Sequence, residues 1–165
     1  MAEKVKLDRI DINILSHLQQ NGKLTNVDLA DAVGLSPSPC LQRVKRLEKA
    51  GYIERYKAQI NLKKLTDHII VFTEVTLTDH RRADFVKFES RIRDYDSVQE
   101  CHLISGGYDY LIKFVARSVA HYQDIIEGIL DQNMGIEKYF SYIVIKSLID
   151  RDSVPLKAIL PDGTR

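Results

Sequence analysis

The chain has 165 residues, 44% of them hydrophobic and 28% charged, which is the composition of a globular protein with apolar material for one core or two small ones. No stretch approaches the roughly 18 continuous apolar residues of a membrane helix, and Met1-Ala2-Glu3-Lys4 opens no signal peptide, so the chain is expected in the cytoplasm with no membrane partner. The formal charge of +1 conceals an asymmetry: up to Asn61 ten Lys and Arg face seven Asp and Glu, and beyond it fourteen face sixteen.

Asp8 can cap a first helix whose apolar positions Ile10, Ile14, Leu15 and Leu18 recur at helical spacing, with Asn21-Gly22 as its stop. Thr25 and Asp28 then resemble a capping box, Leu24 can staple onto Leu29, and Gly34 ends a second helix of about nine residues. Leu35-Ser36-Pro37-Ser38-Pro39 reads as a loop but also as a helix entrance. First-turn N–H groups have no intrahelical partner, so prolines cost little there. With Ser36 as cap, a third helix runs to Ala50 with Leu41, Val44 and Leu47 inward and Gln42, Arg43, Lys45, Arg46 and Lys49 outward. Beyond Gly51, Tyr52 to Ile60 is expected to form two short strands.

A short helix, a turn containing Gly and a third helix with an apolar and a basic stripe make a helix-turn-helix, and the two strands would make its wing. Between Arg43 and Lys57 six basic residues face only Glu48 and Glu54, a local patch suited to the phosphates of double-stranded DNA. Taken alone, that patch reads equally as a solvated helix face. On the first reading Gln42, Arg43 and Arg46 reach base edges, while Lys45, Lys49, Arg55 and Lys57 neutralise phosphates. Ser36 and Ser38 at the helix entrance join the DNA-binding set.

The runs Leu7-Asp8-Arg9-Ile10-Asp11, Leu29 through Glu48 and Gly51-Tyr52-Ile53 resemble the DNA-binding domain of the leucine-responsive regulator (Lrp/AsnC) family. The most specific part is Gly34-Leu35-Ser36-Pro37-Ser38-Pro39-Cys40 followed by Arg43-Val44-Lys45-Arg46-Leu47-Glu48. The resemblance implies a winged helix-turn-helix over 1–61 and DNA binding.

Residues 62–67 interrupt the apolar pattern and are the expected linker. A second domain over 68–150 follows. Val71, Thr73, Val75 and Leu77 alternate, Phe85, Phe88 and Ile92 recur at helical spacing, and Val98 to Ile104 is strand-like. Tyr110, Ile112, Phe114 and Ala116 alternate again, Ser118 caps a helix with Val119, Tyr122, Ile126 and Ile129 inward, and Ile136 to Ile149 reads as a long last strand. The order βαββαβ predicts a ferredoxin-like domain, making the fold class α+β. Its sheet is apolar on both faces, so a second subunit is the simplest cover for the face without helices. The family resemblance implies the same sheet-to-sheet homodimer, with further assembly to an octamer.

Gly106-Gly107-Tyr108-Asp109 reads on spacing either as a hairpin turn or as a loop that lets a ligand approach, with Asp109 facing an ammonium group. The run resembles the family's Gly-x-(Tyr/Phe)-Asp motif, which implies an amino-acid effector bound beside it. His102 precedes the loop and is expected to line the same site. Ser153 onward follows no helical or strand pattern, and 151–165 is expected to be a flexible tail.

Two rivals remain at this stage. An architectural DNA-binding protein would lack an effector, and a small ferredoxin-like enzyme would need a catalytic group. His17, His68, His80 and His121 have no suitably spaced nucleophile or metal partner, and Cys40 and Cys101 fit no zinc spacing. No catalysis, metal, disulfide or cofactor is expected.

Overall fold

The computed structural model describes residues 6–160 and divides the chain into two compact units. One unit runs up to Gln59 and takes in the segment from Ile149 onward; the other spans Ile60–Leu148.

The first unit holds α1 (Arg9–Gln20), α2 (Asn26–Val33) and α3 (Pro37–Lys49). Each helix starts where its orphan N–H groups find an acceptor or a proline replaces them. Asp8 and Asp11 form a reciprocal capping box on α1, Thr25 accepts from the Asp28 amide on α2, and Ser36 precedes the prolines of α3. Gly34 closes α2 in the left-handed region at φ 71°, a conformation that other residues adopt at a cost. The core between the helices is built on Ile14, Leu29, Ala30, Cys40 and Leu47.

Three expectations for this unit are corrected. Cys40 is the buried member of the α3 stripe, while Leu41 is 41% exposed. Spacings of 40, 44, 47 and 41, 44, 47 are both helical, and α1 and α2 select the first. The residues from Tyr52 to Ile60 form no paired strands, in line with the marginal stability of an isolated two-stranded ribbon. The Tyr56 hydroxyl instead donates to Glu48 on α3 at 2.8 Å, and its ring lies against Gly22, where an added Cβ would come within 3.3 Å. The expected flexible tail contains a short helix, α6 (Leu156–Ile159), packed on α1. Gln19 holds the segment before it from both sides, its amide donating to the Val154 carbonyl at 2.9 Å and accepting from the Val154 N–H at 3.0 Å. Residues 161–165 of that tail lie outside the described residues.

The second unit is a four-stranded antiparallel sheet in the order β2-β3-β1-β4, with β1 (Ile69–Leu77), β2 (Val98–Leu103), β3 (Tyr110–Ala116) and β4 (Ile136–Ile143). Helices α4 (Arg82–Ile92) and α5 (Val119–Asp131) complete the ferredoxin-like βαββαβ order. Strict alternation puts Val71, Thr73, Val75 and Leu77 of β1, with Tyr110, Ile112 and Phe114 of β3, on the helix-covered face. Thr73 is the polar exception there, and its hydroxyl shares a hydrogen bond with Tyr122, which also meets Ser141. Two expectations change: Val119 is 55% exposed rather than inward, and β4 stops at Ile143. The alternation continues past that point, but β1, its only partner among the described residues, begins at Ile69, and Val144 N–H to Ile70 O is the last rung among them.

Candidate functional site

The α3 surface splits into two functional halves. With Cys40, Val44 and Leu47 inward, Ser38, Gln42, Lys45 and Lys49 recur at helical spacing on the opposite side. All four are exposed, and among the described residues none has a hydrogen-bond or ion-pair partner. Ser36 at the N-cap is likewise exposed and makes no side-chain cap bond. Arg55 and Lys57 are exposed on either side of the pinned Tyr56. Burial and the neighbouring Glu48 push the Tyr56 phenol pKa up to about 12, so this tether keeps its proton through the physiological range.

Arg43 and Arg46 sit elsewhere, on the flank of α3 that faces α1. Arg43 Nη1 donates to Asp8 Oδ2 at 2.7 Å and to Asp11 Oδ1 at 2.8 Å, and Arg46 Nη2 donates to Asp11 Oδ2 at 2.6 Å. Asp11 has no exposed side-chain surface. A buried carboxylate is tolerated only when paired, so both arginines are committed to it and to holding α3 on the N-terminus of α1. Base edges are their expected targets; here their guanidinium groups lie on the Asp8 and Asp11 carboxylates. Burial pushes the Asp8 carboxyl up, but the Asp11 amide and the Arg43 guanidinium outweigh it and hold its pKa below the usual carboxylate value. A carboxyl with a lowered folded-state pKa contributes stability above its unfolded value, about pH 4, and loses that contribution as pH falls through the folded value. The urea midpoint of this unit is therefore expected to fall as the pH is lowered below about 4. Asp8→Asn should flatten that part of the profile, and an unchanged profile in the variant would contradict the assignment.

In the second unit Asp109 is an anchor of its own loop. Its Oδ2 accepts from the Leu77 N–H at 2.7 Å, and His80 Nε2 lies 3.0 Å from its Oδ1. The side chain, expected to face an ammonium group, is 15% exposed and holds these two partners. His102, expected to line the same site, lies on edge strand β2, 3.3 Å from Glu100, which in turn accepts from Lys113 at 2.7 Å. Lys113 first and His102 second hold the Glu100 carboxyl below its ordinary pKa. The histidine that does reach the loop is His80, and no spacing in the sequence marks it. Gly106 and Gly107 avoid the left-handed region, and a Cβ on either would meet nothing within the chain closer than 4.0 Å. They are thus not required by a turn of positive φ.

This division into a helix-turn-helix unit and a ferredoxin-like unit is matched at both ends by known families. A winged helix-turn-helix DNA-binding profile matches residues 7–54, and the Lrp/AsnC ligand binding domain matches residues 70–154. The chain belongs to the Lrp/AsnC family. It is a DNA-binding transcription regulator with a separate ligand-binding domain. It is 44% identical over 144 residues to the transcriptional regulatory protein DoeX of Halomonas elongata, covering 87% of this chain and 91% of that one. It is 41% identical over 151 residues to the leucine-responsive regulatory protein of Haemophilus influenzae, covering 92% and 91%. Among solved structures, a Neisseria meningitidis transcriptional regulator in complex with L-Met aligns with TM-score 0.87 at 32% identity over 94% of this chain and all of that one. A feast or famine regulatory protein of M. tuberculosis, complexed with L-methionine, aligns at 0.79 with 26% identity over 88% and 96%. No helix among the described residues is long and apolar enough to cross a membrane.

Proposed function

We propose that this Lrp/AsnC regulator works in the cytoplasm as a homodimer. In this reading Ser38, Gln42, Lys45 and Lys49 meet the major groove, Ser36, Arg55 and Lys57 meet flanking phosphates, and Arg43 and Arg46 position the reading helix. The observation that carries it is the exposed α3 face whose polar and basic groups have no partner among the described residues. Groups of this kind at the outer face of a recognition helix pair with base edges and phosphates.

Dimerisation uses the sheet face without helices. Phe140 and Tyr142 of β4 lie there 57% and 52% exposed, in register with Glu74 and Phe72 of β1. An apolar sheet face of this kind favours a self-complementary partner. Assembly of dimers into an octamer is what the family resemblance implies. The relatives are transcription regulators, and the chain is read as having no catalytic role.

The effector is a free amino acid received beside Gly106, Gly107 and Tyr108, with Asp109 and His80 holding the loop in shape. Two family members crystallised with L-methionine support the ligand class. Open space at the two glycines supports the place, because neither their backbone angles nor their neighbours within the chain demand glycine. Gly107→Val is therefore expected to leave the melting temperature and ligand-free operator binding unchanged while removing the amino-acid dependence of that binding. Fluorescence anisotropy with and without each amino acid reads this out. A variant that keeps the full ligand response would remove the loop from the effector site.

A further inference from the structure

Between α4 and edge strand β2, on the sheet face opposite His102 and Glu100, the second unit contains a cleft of about 310 Å³. It is lined by Glu89, Ile92, Arg93, Cys101, Leu103 and Tyr110. The cleft exists because α4 covers the inner strands while β2, at the edge, extends beyond it. Leu103 consequently remains 59% exposed although its register partner Tyr110 is buried.

Its charges are arranged unusually for a helix surface. Glu89 stands four residues before Arg93, the order in which the two ordinarily pair. Instead Glu89 Oε1 accepts from the buried Tyr110 hydroxyl at 2.8 Å, and no ion pair joins Glu89 to Arg93 among the described residues. Tyr110 fixes the carboxylate in the cleft and leaves Oε2 unclaimed, while the Arg93 guanidinium has no carboxylate partner among the described residues. Both charges are felt at the Cys101 thiol, whose pKa burial first and Glu89 second raise to about 11. The two opposite charges thus share one half-enclosed space, floored by a neutral thiol and flanked by Ile92 and Leu103.

We propose that this cleft is a second ligand site, separate from the Gly106–Asp109 loop, for a free α-amino acid with an apolar side chain. The ammonium group meets Glu89, the carboxylate meets the Arg93 guanidinium, and the side chain lies against Leu103 and Ile92. A zwitterion needs an acceptor and a donor fork close together, and an apolar side chain gains by leaving water. This inference rests on the reading that the domain takes amino-acid effectors.

Calorimetric titration of the full chain with leucine, isoleucine, valine, methionine and phenylalanine is expected to show two bound molecules per chain for at least one of them. Arg93→Ala and Glu89→Gln should each weaken one of the two events by about tenfold or more, the loss of a charge-assisted contact, while Gly107→Val removes the other. Arg93 is exposed and Gln can still accept from Tyr110, so both variants should keep the unmodified melting temperature; Arg93→Lys should recover part of the binding. The same ligand should slow modification of Cys101 by a neutral disulfide reagent in the unmodified protein and in Gly107→Val, but not in Arg93→Ala. Cys40, fully buried in the other unit, serves as the unreactive reference. Binding that is unchanged in Arg93→Ala and Glu89→Gln, with Cys101 unprotected, overturns the cleft and leaves the effector reading intact. If none of the amino acids binds the unmodified chain, the effector reading fails and the cleft with it.

Discussion

Replacing Arg43 and Arg46 together by Ala is expected to destabilise the N-terminal unit by about 3–5 kcal/mol, the range for a buried charge stripped of its partners. Asp11 is fully buried, and three donors hold its carboxylate: the Asp8 amide at 3.1 Å, Arg43 at 2.8 Å and Arg46 at 2.6 Å. The double variant leaves only the amide. Arg43→Ala alone should cost less, about 1.5–3 kcal/mol, because Arg46 remains in place. Adding Asp11→Leu to the double variant should recover part of the loss, since it removes the charge that had been left unpaired. Urea unfolding followed by circular dichroism measures all three. If the double variant unfolds at the same midpoint as the unmodified protein, the arginines are not the anchor of α3.

Tyr142→Asp is expected to convert the proposed dimer to a monomer and to lower operator affinity by roughly a hundredfold, as substitutions at the centre of an interface do. Tyr142 stands on β4 opposite Phe72 and close enough to Glu74 that burial first and that carboxylate second raise its phenol pKa. A second carboxylate there adds like-charge repulsion to the loss of the ring. Two half-sites read by one dimer multiply their contributions, so a monomer loses affinity although its α3 is untouched. Light scattering gives the mass and anisotropy the affinity. A Tyr142→Asp chain that remains dimeric at micromolar concentration would move the interface to another surface.

The helices and strands were legible wherever a local signal marks them. Asp8, Thr25, Ser36 and Ser118 precede the four helices they were expected to start, and the alternation of Val71 to Leu77 and of Tyr110 to Ala116 reports burial faithfully. What was not legible depends on partners far away in the chain. Arg43 looks like any outward basic residue until Asp11, 32 positions earlier, is found buried beside it. His80 meets Asp109 across 29 positions, and no period links them. The phase of α3 turned on Cys40 against Leu41, two neighbours of similar apolar character that only packing separates. The length of β4 and the missing wing strands have one cause: alternation makes a segment fit for pairing, but a strand forms only where another edge is available.

The most direct measurement is selection of binding sites from a random duplex pool by the unmodified protein and by Gln42→Ala, the variant of the one amide on the outward face of α3. The unmodified protein is expected to enrich two inverted half-sites about 34 Å apart, or a multiple of that, on one side of the duplex. Gln42→Ala should bind the same pool with the same half-site spacing but lose preference at one base position in each half-site, a discrimination of about 1–3 kcal/mol. Identical motifs from the two proteins, or no enrichment by either, would contradict the account of α3 as the helix that reads DNA.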